Sequence, residues 1–147
     1  MASAAPITDF VCVSQQRWEI ASQDPDHLPW RFMRKPRVFF IEEPVARPNT
    51  TRPYLEVTPV REGSFTNVTV IRLVCPGPLA RDLRYGDQTT QAAYNPLLRD
   101  FLEREGVVRP VLWLGTPLAL KFGLAIDYSL LVYGWSIKPP SPSVQLA

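Results

Sequence analysis

The chain has little of what most site chemistry is made from. It carries one histidine, His27, and two cysteines, Cys12 and Cys75, in 147 residues. A lone histidine and no closely spaced cysteine pair leave no zinc signature. Both cysteines sit in apolar, strand-like runs, which suits buried free thiols better than a disulfide. Glycine is scarce at seven residues, and no G-x-G-x-x-G follows the first apolar run, so the dinucleotide fingerprint is missing. Neither a phosphate-binding G-x-x-x-x-G-K nor a G-x-S-x-G elbow occurs, and one histidine makes a Ser–His–Asp set hard to assemble. No cofactor and no metal are therefore expected. No apolar run reaches the length of about 18 residues that a membrane helix needs. The opening MASAAPITDF has no basic stretch leading into an apolar one. That predicts no signal peptide and a cytoplasmic chain, with at most peripheral contact at the inner membrane face. The net charge of +2 is small and scattered, which argues against a nucleic-acid partner. Arg31, Arg34, Lys35 and Arg37 do cluster beside Trp30 and Phe32. Such a cluster suits the cationic end of a helix, or a surface lying against anionic lipid.

What is present is an apolar fraction of 46% and sixteen prolines. The first is enough for one packed domain; the second punctuates it. Residues 7–14, ITDFVCVS, and 37–44, RVFFIEEP, read as strands buried on both faces. Glu42 and Glu43 follow the second run on opposite faces, at a strand end read as leading into solvent, so they cannot act as a facing acid–base pair. The stretch 45–53 reads as loop. Residues 54–60 and 67–73 alternate apolar and polar around a turn holding Gly63, which predicts a hairpin with Pro59 on an edge strand. The run from Pro76 through Gly77 and Pro78 opens a further loop. Asn95 as N-cap, Pro96 at the first helical position and Gly106 at the end predict a helix beginning at Asn95. It would pack on a sheet through Leu97, Leu98, Phe101 and Leu102. Residues 110–114 and 129–133 read as strands, with a short helix over 118–124. Another helix is expected near Asp24 and Pro25.

Strands that alternate with helices at short intervals imply an α/β fold. The expected architecture is a Rossmann-like, mostly parallel sheet with flanking helices and a small antiparallel excursion at about 54–73. Ligands in such sheets bind beyond the C-terminal strand ends, which here lie near Ser14, Glu42, Thr116 and Tyr133. The pattern stops after Tyr133. Residues 134–147, GWSIKPPSPSVQLA, read as an irregular Pro/Ser-rich tail, and 1–133 as the domain.

The segment DFVCVSQQRWEIASQDPDHLPWRFMRKPRVFFIEEP resembles the opening of bacterial GT-B-type glycosyltransferases of the family 4/1-like group. Those chains start with a strand and a serine, then a W-x-F segment, a Q-R-P-Q-H-L box and a strand reading V-x-F-V-E-E-P. Ser14, Arg17, Trp18, Gln23, Pro25, His27, Leu28, Arg31 and Phe32 fit that pattern, as do Phe40, Glu42, Glu43 and Pro44. PVLWLGTPLAL is similar to the family's V-L-W-x-x-T-P-x-A-L segment through Trp113, Thr116, Pro117, Ala119 and Leu120. Two departures stand out. Asp24 replaces a basic residue, and Gly134 stands where the family has an aspartate, as though the chain were truncated or shifted in frame there.

The resemblance implies an N-terminal, acceptor-side domain of an enzyme that moves a sugar from a nucleotide-sugar donor to a glycan or lipid acceptor. It implies substrate contacts at Ser14, Arg17, Trp18, Gln23, His27 and Thr116, and no catalytic residue in this half. Trp18 can stack on a sugar or act as a hydrophobic lid. His27 can meet the acceptor or support a helix start, and Thr116 can meet a ligand or cap a turn. The chain alone would then lack the donor-binding half and be inactive without a second-domain chain. A non-catalytic interaction domain working with a partner chain is the alternative. A small dinucleotide-dependent oxidoreductase is disfavoured by the missing glycine fingerprint.

Overall fold

A computed structural model describes residues 9–21, 37–60, 67–77, 88–116 and 126–133. The strands are β1 (Phe10–Val13), β2 (Val38–Ile41), β3 (Val45–Arg47), β4 (Tyr54–Pro59), β5 (Val68–Pro76), β6 (Val111–Leu114) and β7 (Leu130–Tyr133). The helices are the single turn α1 (Trp18–Ala21) and the long α2 (Gln88–Arg104). All seven strands join one sheet.

The parallel strands run β5-β2-β1-β6-β7 across the sheet, with β4 antiparallel to β5 on its outer side. This is the Rossmann-like order, and the hairpin expected at 54–73 is its antiparallel excursion. The chain steps one way from β1 to β2 and the other way from β5 to β6. Right-handed crossovers must therefore place the two connecting helices on opposite faces. They do. Val11, Val13, Phe39, Ile41, Ile71, Leu73, Leu112 and Leu114 bury one face under Tyr94, Leu98 and Leu102 of α2. Cys12, Val38, Phe40, Val68 and Val70 bury the other, where Trp18 of α1 packs. Adjacent residues of one strand thus serve different layers, which is why β1 and β2 are apolar at every position.

Three local expectations give way. The stretch 45–53 is not all loop, because β3 prolongs β2 along the same side of β5. The register slips by one residue between Ile41↔Ile71 and Val45↔Val74. Residues 42–44 therefore form a bulge, uncommon between parallel strands. β5 likewise runs on to Pro76 rather than ending at 73, since Val74 and Cys75 stay buried and pair with β3. Third, α2 starts at Gln88, not at Asn95, and Pro96 lies inside it. Thr90, Tyr94, Leu98 and Leu102 form one buried i, i+4 stripe, so the apolar face continues a full turn and more before the proline. The carbonyl that Pro96 leaves without a donor belongs to Ala92, and both residues are exposed, where water can satisfy it. The C-terminus of α2 closes as the sequence indicates. Gly106 has φ +73, its N–H donates to the Glu103 carbonyl, and the Val107 N–H donates to that of Leu102. That is the Schellman pattern, with glycine in the left-handed position. The helix expected near Asp24 and the one over 118–124 lie outside the described residues.

At the N-terminal ends of the strands, Arg37 donates to both Asp9 carboxylate oxygens (3.0 and 2.6 Å) and to the Glu105 carbonyl just past α2 (2.8 Å). One guanidinium thereby ties β1, β2 and the negative end of α2.

Two predictions follow from this packing. Pro96→Ala restores a helix donor, and urea unfolding is expected to show a gain of about 1–3 kcal/mol; a loss would mean that the break at Pro96 is needed for docking. Burial pushes the Cys12 thiol up from its ordinary 9.0 and the Tyr94 phenol up from its ordinary 10.0. Both stay protonated in the folded chain where the unfolded chain ionises. The folded state then holds more protons, so this stability is full below about pH 9 and falls as pH rises past it. The urea midpoint is expected to drop above about pH 9, less steeply in Tyr94→Phe; parallel pH profiles for the two proteins would rule out the phenol.

Candidate functional site

The strand order reverses at β1, whose neighbours β2 and β6 are reached by crossovers in opposite directions. In a sheet of this kind the ligand crevice opens beyond the C-terminal ends at that point. Ser14 follows β1 there, and Gly115 and Thr116 follow β6. The two loops touch. The Gly115 N–H donates to the Val13 carbonyl at 2.7 Å. A Cβ on Gly115 would lie 3.1 Å from that carbonyl oxygen and 3.7 Å from the Ser14 Cα, so glycine permits the approach. Ser14 and Thr116 are both buried. The Ser14 Oγ accepts a hydrogen bond from the Gln16 N–H at 3.0 Å, the short local turn that serine favours. The Gln16 Oε1 is buried and has no hydrogen-bond partner among the described residues.

Beside this crevice stands a carboxylate that the sequence reading sent to solvent. Glu42 is 1% exposed. Its Oε1 accepts from Arg72 Nε and Nη2 (2.9 and 2.6 Å) and from Arg17 Nη1 (3.5 Å), and its Oε2 accepts from the Trp18 N–H at 2.5 Å. That last bond caps the first turn of α1. The backbone carbonyl of Glu42 accepts from the Tyr94 hydroxyl of α2 at 3.4 Å. Glu42 is buried because the pleat continues past Ile41. It points to the same face as Val38 and Phe40, and one strand over Arg72 shares the face of Val68 and Val70. The Glu42 N–H bonds the Ile71 carbonyl, which brings the two charged residues side by side. A period-two reading of both runs carries that signal in the sequence.

The six residues named from the resemblance fall into three groups. Ser14 and Thr116 lie past the ends of adjacent strands, in the two loops that the Gly115–Val13 bond joins. Arg17 and Trp18 lie next to the crevice but are engaged by the protein. The Arg17 guanidinium holds Glu42 and also donates to the Glu43 and Pro44 carbonyls of the bulge. The Trp18 indole sits edge-on to Phe40, with ring centroids 5.1 Å apart, inside the second apolar cluster. Gln23 and His27 lie outside the described residues. The sequence reading passed over Gln16 and Arg72.

The charge lattice continues outward. Arg72 also reaches Glu56 at 3.3 Å, and Glu56 pairs with Arg47 at 2.7 Å. Among the described residues, Arg17, Arg72 and Arg47 along this rim are thus matched by carboxylates of the chain itself. Among the described residues no cluster of three or more His, Cys, Asp or Glu is placed to hold a metal, and no helix is long and apolar enough to cross a membrane. No family model matches the chain, and neither a curated protein nor a solved structure matches it.

Breaking a buried ion pair leaves the remaining charge uncompensated. Arg72→Met is expected to cost about 2–4 kcal/mol in urea unfolding, reduced from the full penalty because Arg17 still faces Glu42. Arg104→Ala removes only the exposed pair with Asp100 and is expected to leave the midpoint nearly unchanged. Equal effects of the two variants would show that the Glu42 cluster contributes nothing special.

Proposed function

We propose that the chain is the acceptor-side, Rossmann-like domain of a two-domain GT-B-type sugar transferase, binding a saccharide or lipid-linked saccharide at the β1/β6 crevice. One observation carries the reading. The two segments that resemble the family, around residues 14–18 and 113–116, are a hundred residues apart in sequence and converge at the strand-order reversal. The described residues there include two hydroxyls, Ser14 and Thr116, and the Gln16 amide, groups of the kind that recognise sugar hydroxyls. A nucleotide-sugar donor would be held by the second domain, where the family keeps most of its donor contacts. Transfer needs charge stabilisation of a diphosphate leaving group, so this domain supplies one wall of the cleft and no turnover of its own. A cytoplasmic site facing lipid-linked acceptors at the membrane fits the same reading.

Titration of the chain with methyl glucoside, methyl galactoside and methyl mannoside, followed by backbone amide spectra, tests it. At least one probe is expected to shift amides of residues 14–17 and 113–116, while sugar nucleotides give no transfer. Stabilisation by NAD without any response to sugars would instead identify a dinucleotide protein. Transfer from a sugar nucleotide by this chain alone would overturn the assignment of donor binding to another domain.

A further inference from the structure

We propose that Glu42 is the positioning residue of the crevice and that Gln16 is the side chain it presents to a ligand hydroxyl. The proposal rests on the saccharide reading above. It starts from two observations that the fold by itself does not require. A carboxylate is buried at the end of a central strand, where an apolar residue would pack at less cost. A buried amide oxygen a few residues away has no hydrogen-bond partner among the described residues.

The first observation has a geometric consequence. The loop 14–17 is attached to the sheet at each end. At its start, the Ser14 N–H donates to the Ile41 carbonyl at 2.9 Å. At its finish, the Trp18 N–H and the Arg17 guanidinium both bind the Glu42 side chain. Arg17 then reaches past Glu42 to the bulge carbonyls. Arg72 holds the same carboxylate from the neighbouring strand with two donors that converge on Oε1, which fixes its orientation. Glu42 therefore determines where residues 14–17 lie relative to β6, and it does so with directional bonds that an apolar side chain could not make.

The second observation supplies the reason for such fixing. Within that loop, the Gln16 N–H is committed to Ser14, which holds the residue in place while its side-chain oxygen is unmatched. An unmatched buried acceptor is costly, and a ligand donor that completes it removes the cost on binding. A sugar hydroxyl is such a donor. The cationic groups described at this rim are already held by Glu42 and Glu56, and the unmatched Gln16 oxygen is a neutral acceptor, which calls for a hydroxyl or N–H donor rather than an anion.

The test compares the wild-type chain, Glu42→Gln, Gln16→Met and Arg17→Met by amide hydrogen exchange and by titration with the same three methyl glycosides. Glu42→Gln is expected to speed exchange at residues 14–18 about tenfold, to leave β1, β2 and β5 protected, and to weaken the responding glycoside about tenfold. Gln16→Met is expected to leave exchange unchanged and to weaken the glycoside about fivefold or more. If Glu42→Gln does not fold, Arg17→Met cuts the loop tie while Arg72 still holds Glu42, and the same local exchange increase is expected there. Unchanged exchange at 14–18 in whichever of these two variants folds overturns the positioning role. Wild-type affinity in Gln16→Met overturns the contact. If no glycoside binds the wild-type chain, the saccharide reading and the Gln16 contact fall together, and the exchange result still decides Glu42.

Discussion

The carboxylate of Glu42 ties together, by side-chain bonds, a central strand, its neighbour and the loop after β1. It receives Arg72 from β5, Arg17 from the loop after β1 and the first N–H of α1, while its own carbonyl receives Tyr94 from α2. Desolvating a carboxylate costs several kcal/mol. The offset has to come from several directional partners at once, and this site provides them: two guanidinium groups and a backbone N–H at a helix start. The bulge at 42–44 belongs to the same design. Without the extra residue, β2 would run straight into β3, and the Glu43 and Pro44 carbonyls would not be turned toward Arg17. The irregularity in the sheet and the buried charge thus explain each other.

Handedness does the rest of the positioning. With β1 in the middle of the order, the two crossovers leave on opposite faces, and the strand ends at β1 and β6 lie at the point where they part. Gly115 lets the two loops close to within van der Waals contact there. The Glu42 cluster sits on the α1 side, so the half of the crevice built from residues 14–17 is held by bonds. The half built from Gly115 and Thr116 is held by the sheet.

Much of this was readable beforehand, and the rest was hidden for specific reasons. The continuous apolar runs of β1, β2 and β6 and the alternation of β4 and β5 expose the fold class, because a strand buried on both faces has no other composition to adopt. The Gly106 stop of α2 is equally plain. The start of that helix is not. Asn95 and Pro96 form a good local N-terminus, but a buried stripe reaching back to Thr90 outweighs a proline whose lost bond faces water. β3 was concealed by its length and by the proline before it. Glu42 was misplaced for a different reason. Two adjacent acidic residues look like a solvent boundary until parity is counted along both strands, whereupon Glu42 and Arg72 fall on one face. The site residues Gln23 and His27 lie outside the described residues and add nothing to this comparison.

The engagement of the arginines bears most directly on what the crevice can hold. A diphosphate site needs cations or helix N-termini that are not already matched. Arg17 binds Glu42 and two carbonyls, Arg72 binds Glu42 and Glu56, and Arg47 binds Glu56. An incoming phosphate would have to compete with carboxylates already in place, and the N-terminus of α1 is capped by one of them. Among the described residues, those at the β1/β6 strand ends, Ser14, Gln16 and Thr116, are neutral. Such groups discriminate by hydrogen-bond geometry rather than by charge.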